Sequence, residues 1–343
     1  MRLIQVGMGL WGRDWARTVV PTVPGVEQVA FVDEAPQALA QVRTERGADD
    51  DRLFTSLDAA LDAVEADAVL ITCSLAGHVP SARRALEAGQ HVLVEKPFAA
   101  TVEEGRALVE EAEARGLVLE VSQNYRYFPA VRKVQQLLAD KVLGDLGEVD
   151  IEFGQWANID AIGLQPFHTL DQPLLVDMSI HHLDLLRAVL PGEVRQVHCD
   201  LWNPRWSQFQ GPASGRLVAV CDDGVVAGYS GSWVHPGDQT GFGGVWRMEC
   251  AQGEIRWASR LGADESGDGD WVEIRRLGSE PERVELPRLE HLGRAGCLAD
   301  FVRAVETGSR VESSGRDNLG SLALLAAALT SATSGRNEPV AVG

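Results

Sequence analysis

Lysine is scarce in this 343-residue sequence, which has three lysines, Lys96, Lys133 and Lys141, and 28 arginines. Where only a positive charge is needed, the chain uses arginine. Lysine is a compact charge whose pKa falls readily on burial, so it can share or release a proton, which arginine cannot do. Lys96 follows a short apolar run, in the sequence Glu95-Lys96-Pro97. The scarcity of lysine therefore favours a chemical role for Lys96.

Other absences exclude classes of protein. No basic cluster interrupts the acidic composition, and the formal net charge of −19 argues against nucleic acid or an anionic membrane surface as a partner. No apolar run approaches the ~20 residues that a membrane helix needs. The five cysteines show no CxxC spacing, so we expect neither a disulfide framework nor a metal site. The start of the sequence lacks the pattern of a signal peptide, and we expect a cytoplasmic protein.

A glycine turn follows the first apolar strand. Gly7, Gly9 and Gly12 form a GxGxxG motif between a predicted strand and a predicted helix, the context in which this motif binds a dinucleotide. Asp33 stands 21 positions after Gly12, where a carboxylate accepts hydrogen bonds from a ribose 2′-hydroxyl. Glu34 follows it, and no Arg or Lys adjoins the pair to bind a 2′-phosphate. The sequence therefore favours NAD over NADP.

The first 120 residues alternate apolar strands with amphipathic helices. This alternation predicts an α/β domain over residues 1–122, a Rossmann fold whose doubly wound sheet is parallel. Ligands of such sheets bind at the carboxyl ends of the strands. The predicted strand ends carry Thr72-Cys73-Ser74, Lys96 and Gln123-Asn124. We therefore expect Lys96 to lie where a nicotinamide ring would bind.

Residues 123–343 have a different pattern. After a helix that begins at Pro129, long β-rich segments alternate with turns and carry seven of the nine tryptophans. This pattern predicts an α+β domain for substrate binding, with a large, open, mostly antiparallel sheet that has one exposed face. We expect the tryptophan-rich face to pair subunits as a homodimer or homotetramer, and a monomeric mass in solution would refute this.

A predicted helix in this second half carries a carboxylate and two histidines. Helical spacing places Asp177 and His181 one turn apart on one face, with Asp184 near the same line. An imidazole beside a carboxylate is typical of a general base. His182 points about 100° away from His181, and we expect it to be solvated. A metal site would need a third ligand at suitable spacing, and none follows nearby.

These motifs together resemble the glucose–fructose oxidoreductase/inositol dehydrogenase (Gfo/Idh/MocA) family over nearly the whole chain. The resemblance is carried by VGMGLWG, Thr72-Cys73-Ser74 with His78, AGQHVLVEKP, Asn124-Tyr125-Arg126, the DxxxHxxD of Asp177, His181 and Asp184, and the closing SGRDNLGSLALLAAALTSATSG. It implies a second domain whose open sheet is often buried in dimers or tetramers.

The resemblance also implies roles for particular residues. Lys96, Asp177 and His181 match the catalytic lysine, aspartate and histidine. In the oxidation of a secondary alcohol His181 would take the hydroxyl proton, Lys96 would stabilise the alkoxide, and Asp177 would fix the hydroxyl and hold Lys96 charged. The implied cofactor-binding residues are Gly7, Gly9, Leu10, Trp11, Gly12, Asp33, Thr72, Cys73, Ser74, His78, Glu95, Lys96 and Asn124. The implied substrate-binding residues are Lys96, Arg126, Trp156, His168, Asp177 and His181.

Two segments depart from the family pattern. The family commonly has Thr-Pro-Asn where this chain has Thr72-Cys73-Ser74, and a Gly-Gly pair where this chain has residues 171–175. The shape of the substrate loop is therefore expected to differ from that of the inositol and glucose enzymes. Asn158, Asp160, Gln165 and His168 in residues 156–168 offer hydrogen-bonding groups for a polyol.

These observations predict an NAD-dependent dehydrogenase that acts on a sugar, inositol or related polyol. One alternative is redox-neutral sugar chemistry with tightly held NAD, which needs nearly the same residues. A second alternative is a non-catalytic, NAD-sensing regulator on the same fold. The joint presence of Lys96, Asp177 and His181 argues against a sensor, because a sensor needs no proton acceptor.

Overall fold

The computed structural model of the chain describes residues 1–261 and 265–341. The chain divides into two compact units. The first unit comprises Met1–Asn124 and Arg294–Leu319, and the second comprises Tyr125–Gly293 and Gly320–Gly343.

The helices of the described residues are mostly short. The α-helices are α1 (Leu10–Asp14), α2 (Pro36–Arg46), α3 (Leu57–Ala63), α4 (Leu75–Glu87), α5 (Val102–Arg115), α6 (Pro129–Ala139), α7 (Ile159–Ile162), α8 (Ile180–Val189), α9 (Gly293–Thr307) and α10 (Gly315–Ser334). Two π-helical turns, Trp15–Val19 and Pro173–Ser179, adjoin α1 and α8. The 3₁₀ turns are Val20–Thr22, Asp50–Arg52, Asn124–Tyr127 and Pro166–Thr169. Within the described part of the chain, no helix is both long and apolar enough to cross a bilayer.

A six-stranded parallel sheet forms the centre of the first unit. Its strands are β1 (Arg2–Val6), β2 (Glu27–Val32), β3 (Leu53–Phe54), β4 (Ala68–Ile71), β5 (His91–Val94) and β6 (Leu119–Val121). They lie in the order β3-β2-β1-β4-β5-β6, with every neighbouring pair parallel. Residues 68–71 of β4 are wholly buried, as expected when helices cover both faces of a parallel sheet. The predicted Rossmann sheet is confirmed.

The segment Arg294–Leu319 belongs to the first unit by its contacts, whereas residues 123–343 were expected to form one second domain. Leu298 and Phe301 of α9 are fully buried in one apolar cluster with Leu3, Leu70 and Leu93 of the parallel sheet. Burial of this apolar surface against the sheet is what attaches α9 to the first unit.

A nine-stranded sheet forms the second unit. Its strands are β7 (Leu146–Gly154), β8 (Val194–Trp202), β9 (Ser214–Cys221), β10 (Val226–Ser232), β11 (Val245–Cys250), β12 (Gly253–Ala258), β13 (Trp271–Arg276), β14 (Glu282–Arg283) and β15 (Glu338–Pro339). They lie in the order β14-β13-β12-β11-β7-β10-β9-β8-β15. Only the neighbours β10 and β7 run parallel within this sheet as described. The predicted mostly antiparallel sheet is confirmed.

Of the seven tryptophans that predicted a tryptophan-rich exposed face, Trp202 of β8 and Trp206 are 43% and 54% exposed, but three others are buried. Trp233, Trp246 and Trp257 lie in the core of the second unit, each at most 5% exposed. The rings of Trp246 and Trp257 stack on the inner face, with centroids 4.7 Å apart. On β11 the inward Trp246 and Met248 alternate with the outward Arg247 and Glu249. The outer face of β11 is therefore charged.

Candidate active site

The glycine turn after β1 is sterically constrained at two of its three glycines. Gly7 has φ +90°, and a Cβ there would lie 2.3 Å from the backbone nitrogen of Cys73. A Cβ on Gly12 would lie 1.8 Å from the carbonyl oxygen of Gly7. At Gly9 an added Cβ would meet no described atom within 4 Å. The turn thus leaves open space beside its middle glycine, as close approach of a pyrophosphate requires.

Thr72 stabilises this turn by a buried hydrogen bond. Its buried hydroxyl donates to the carbonyl oxygen of Gly7 at 2.7 Å. The Gln5 amide donates to the carbonyl oxygen of Gly12 at 2.7 Å and itself accepts from Gln28 at 2.6 Å. The predicted cofactor residue Thr72 therefore shapes the turn through its hydroxyl. Gln5 and Gln28 were missed by sequence reasoning, although a glutamine inside an apolar strand is a signal of a buried polar contact.

Asp33 follows β2 and is fixed by two backbone donors. One carboxylate oxygen accepts from the N–H of Met8 at 2.6 Å, and the other accepts from the N–H of Ala35 at 2.8 Å. An ionised carboxylate has about four acceptor positions, so lone pairs remain for ribose hydroxyls. Arg13 donates to the carbonyl oxygen of Met8 but forms an ion pair with Glu45 at 3.3 Å. Its charge is therefore compensated beside this turn.

Lys96 lies just beyond the end of β5 and is half-buried. The preceding Glu95 is 6% exposed, and its carboxylate accepts a hydrogen bond from Trp15 Nε1 at 2.7 Å. The Lys96–Pro97 peptide bond is cis, which the sequence could not show. The ring nitrogens of buried His78 lie 2.8 Å from the carbonyl oxygen of Pro97 and 3.0 Å from that of Cys73. His78 thus connects the segments that follow β4 and β5.

The remaining predicted cofactor residues lie at the same edge of the parallel sheet. Leu10 and Trp11 begin α1 and are 73% and 45% exposed. The Arg294 guanidinium lies over the Trp11 ring, 4.2 Å from its centroid. Ser74 is exposed at the start of α4, and Asn124 is buried after β6.

Asp177 and His181 lie on either side of a change in helix type. Asp177 is half-buried in the π-helical turn Pro173–Ser179, and His181 is the second residue of α8. Regular helical spacing was expected between these two residues, and the π turn interrupts it. Single π turns inside helices occur frequently at functional sites. The imidazole of His181 is 7% exposed and stacks on the Tyr125 ring, with centroids 4.1 Å apart and planes within 6°.

The prediction of a solvated His182 is wrong. Its side chain is fully buried, as are all the residues of α8 from 180 to 186. Nε2 donates to the carbonyl oxygen of Phe242 at 2.9 Å, and Nδ1 accepts from the Tyr229 hydroxyl at 3.2 Å, which also contacts Ser179. Burial lowers the pKa of His182 to about 4, so the ring is neutral near pH 7.

Arg126, a predicted substrate residue, forms a buried ion pair with Asp184. Nε and Nη2 donate to the two carboxylate oxygens at 2.7 and 2.6 Å, and both side chains are at most 4% exposed. The Ser321 hydroxyl also donates to Asp184 at 2.7 Å. A bidentate buried pair fixes the start of α6 against α8. The structure therefore gives Arg126 a role in packing.

The predicted substrate loop is held by its own polar side chains. His168 Nε2 donates to the carbonyl oxygen of Ala157 at 2.7 Å, and its Nδ1 accepts from the Gln165 N–H at 2.8 Å. The buried Asn158 bonds to the backbone of Trp206 and of Gln208. These side chains stabilise the loop, and the His168 ring has no nitrogen left for a polyol. Trp156 is half-buried at the start of the loop.

Two protein-family models match the chain. Residues 1–123 match the oxidoreductase family with an NAD-binding Rossmann fold, and residues 131–256 match the GFO/IDH/MocA C-terminal domain. Both models represent domains of the same family, and together their matches cover most of the chain.

Known proteins are similar over much or all of the chain. UDP-N-acetylglucosamine 3-dehydrogenase of Acidithiobacillus ferrooxidans is 34% identical over 203 residues, 57% of this chain and 58% of that protein. D-apiose dehydrogenase of Paraburkholderia graminis is 25% identical over 328 residues, 92% of this chain and 83% of that protein. A solved oxidoreductase of Agrobacterium radiobacter, in complex with NAD⁺, L-tartaric acid and magnesium, has a TM-score of 0.86 at 19% identity, covering 99% of this chain and 98% of that one.

Proposed function

Because the chain belongs to the Gfo/Idh/MocA family of NAD-binding oxidoreductases, we propose that it is an NAD-dependent dehydrogenase. Its substrate is a secondary alcohol of a sugar, inositol or related polyol. The observation that carries the proposal is one edge of the parallel sheet. There a constrained glycine turn, the carboxylate of Asp33 and the strand-end Lys96 follow β1, β2 and β5. Dinucleotide oxidoreductases of this fold bind their ligands at that edge.

The choice of NAD over NADP rests on charge. Asp33 would accept hydrogen bonds from the ribose hydroxyls and repel a 2′-phosphate. Of the cations near the same turn, Arg13 has Glu45 as its partner at 3.3 Å, and Arg294 has Asp14 at 2.9 Å. Dissociation constants of NADH and NADPH, measured by fluorescence, test this choice. Tighter binding of NADPH would overturn it.

Lys96, Asp177 and His181 are the proposed catalytic residues. When bound, NAD supplies the acceptor for the hydride that leaves the alcohol carbon. His181 accepts the hydroxyl proton, since a neutral imidazole nitrogen is a base suited to neutral pH. Lys96 donates a hydrogen bond to the developing alkoxide, and Asp177 accepts one that orients the substrate hydroxyl. Trp156 is the further proposed substrate contact.

The substrate class is supported by the relatives. The proteins from Acidithiobacillus and Paraburkholderia are named as dehydrogenases of UDP-N-acetylglucosamine and D-apiose, both of which are sugars or sugar derivatives. A sugar ring presents several secondary hydroxyls of similar geometry. The proposal therefore specifies the class of alcohol, and a substrate panel must identify the compound and the carbon oxidised.

We also propose that the protein forms a homodimer or homotetramer through the outer face of the second sheet. Val218 and Val226, on neighbouring strands, are 49% and 37% exposed on that face. Sedimentation equilibrium tests the assembly. Val218→Glu is expected to shift it toward monomer, while the control Leu277→Glu, at a position 79% exposed outside the strands, is expected to leave it unchanged.

The deciding experiment is an absorbance assay for reduced nicotinamide at about 340 nm. It is run with NAD and then with NADP, over inositols, aldoses, sugar acids and nucleotide sugars. A signal with NAD on one group establishes the dehydrogenase and its substrate class. Silence over the whole panel from folded protein that binds NAD contradicts release of reduced cofactor. Nucleotide that survives gel filtration would then indicate redox-neutral chemistry.

A further inference from the structure

Tyr125 and His181 form a parallel stack in the second unit. Their ring centroids are 4.1 Å apart and their planes differ by 6°. Tyr125 is 2% exposed, and Phe128 contacts it edge-on with centroids 6.4 Å apart. The χ2 torsion of histidine has broad, shallow minima, so the helix does not by itself fix the plane of the imidazole. A second ring packed against its face does fix that plane.

Arg260 holds the far end of this stack. Its Nη1 donates to the Tyr125 hydroxyl, and its guanidinium carbon lies 4.7 Å from the centroid of the Tyr125 ring and 5.2 Å from that of Phe242. Burial raises the pKa of Tyr125 to about 12, so the hydroxyl stays neutral near pH 7. The arginine therefore fixes the phenol by a hydrogen bond and by its position over the ring.

The backbone of Arg260 is itself in an unusual conformation. Its φ is +52°, in the left-handed region that a non-glycine residue rarely occupies. Its N–H donates to the Asp270 carboxylate at 2.8 Å, which retains the residue in that conformation. Residues in sparsely populated conformations persist only where the surroundings determine them, and they cluster near functional sites.

We infer that Tyr125 is a positioning residue for His181, and that Arg260 acts on His181 through the Tyr125 hydroxyl. The inference rests on the proposed function, in which His181 accepts the substrate proton. A base must direct its nitrogen along a narrow path toward that proton, and a small misorientation costs a large factor in rate. The stack supplies this orientation, and neither Tyr125 nor Arg260 needs to touch the substrate.

Spectroscopy tests the stack without a substrate. The His181 ring protons, assigned in the NMR spectrum by comparison with His181→Gln, should carry an upfield ring-current shift from the phenol. Tyr125→Phe is expected to keep that shift and Tyr125→Leu to lose it. Unchanged His181 signals in folded Tyr125→Leu would overturn the inference. The control is Tyr127→Leu, which removes the neighbouring buried tyrosine that lies against Arg132.

Kinetics on the substrate found in the panel test the positioning role. Tyr125→Leu is expected to lower kcat by about 100-fold and Tyr125→Phe by about tenfold or less, with the dissociation constant of NAD unchanged within about twofold. Tyr127→Leu should lose stability without this selective fall in kcat. Equal kcat in Tyr125→Leu and the wild type would overturn the inference.

A double-mutant cycle tests the route through the hydroxyl. If Arg260 acts through Tyr125, Arg260→Met in the Tyr125→Phe background should lower kcat little further. If the fold-changes in kcat of the two single substitutions multiply in the double variant, Arg260 acts separately from Tyr125. That result would overturn this part of the inference. If Tyr125→Leu does not fold, the cycle of Tyr125→Phe and Arg260→Met still tests whether Arg260 acts on His181 through the Tyr125 hydroxyl. A wild-type protein that shows the ring-current shift but no turnover would refute the proposed function and leave the stack established.

Discussion

The indole nitrogen of Trp15 donates a hydrogen bond to the carboxylate of Glu95 at 2.7 Å. Trp15 is fully buried in the π-helical turn after α1, and Glu95 immediately precedes Lys96. The other carboxylate oxygen of Glu95 accepts from the Lys96 N–H at 3.3 Å. A buried carboxylate needs such donors, because an unmet one costs its full desolvation free energy. Trp15 thus connects the glycine-turn helix to the segment that carries the lysine.

Trp15→Phe should therefore destabilise the protein beyond the effect of a smaller ring. We expect an additional loss of about 1–3 kcal/mol in the free energy of unfolding, measured in urea, from the unmet carboxylate. The matched control is Trp257→Phe, since Trp257 is equally buried and its Nε1 has no hydrogen-bond partner among the described residues. Equal losses in the two variants would show that the Trp15–Glu95 bond contributes nothing.

Periodicity in the sequence was enough to predict both sheets. The β-rich segments predicted after residue 123 are observed as strands, among them Val194–Trp202 and Ser214–Cys221. Thr101 and Glu104 have the spacing of a capping box, and the Thr101 hydroxyl accepts from the Glu104 N–H at the start of α5. The two-residue strands such as Glu282–Arg283 are too short to produce a pattern.

Contacts between residues that are distant in sequence could not be predicted. The partner of Arg126 is Asp184, 58 positions away, and no local pattern shows that pairing. His182 was expected in solvent because helical spacing places it away from His181, but spacing does not show how many faces of a helix are covered. For Trp246 the signal was present, since the alternation with Arg247 places the tryptophan on the inner face.

Lys96→Ala should abolish most turnover and leave cofactor binding nearly intact. Loss of the group that stabilises the alkoxide is expected to lower kcat by about 10²–10⁴-fold, while the dissociation constant of NAD changes by no more than severalfold. The control is Lys141→Ala, because Lys141 is an exposed lysine paired with Asp145 at 2.8 Å. Turnover that survives in Lys96→Ala would show that the role of Lys96 has been misassigned.

Asp33→Asn should weaken selection for NAD. Removing the negative charge is expected to raise the dissociation constant of NADH by about tenfold. The ratio of the NADPH constant to the NADH constant should fall, because the repulsion of a 2′-phosphate is lost. Glu34→Gln removes a neighbouring exposed carboxylate and serves as the control. An unchanged NADH-to-NADPH ratio in Asp33→Asn would contradict the proposed role. Both constants are measured by nicotinamide fluorescence.

Asp270 should make the protein less stable as pH rises toward neutrality. Burial raises its pKa to about 6 in the folded state, against about 3.9 in an unfolded chain. Between these values the folded state holds the proton and the unfolded state does not, so stability falls with rising pH, by about 1–2 kcal/mol in total. Urea unfolding from pH 4 to 7 measures the slope. Asp270→Asn should remove it, and Asp268→Asn, at an exposed site, should not.

The titration of His182 should make the protein less stable as pH falls, over a pH range that overlaps that of Asp270. Its folded pKa of about 4 lies below the value of about 6.5 expected for an unfolded chain. As pH falls from 6.5 to 4, the unfolded state gains a proton that the folded state excludes, so stability falls by about 2–3 kcal/mol. The Asp270→Asn background isolates this slope in urea unfolding curves. There His182→Gln should flatten it, while His198→Gln, at a partly exposed position on β8, should leave it unchanged. A slope that survives His182→Gln would assign the acid sensitivity to another group.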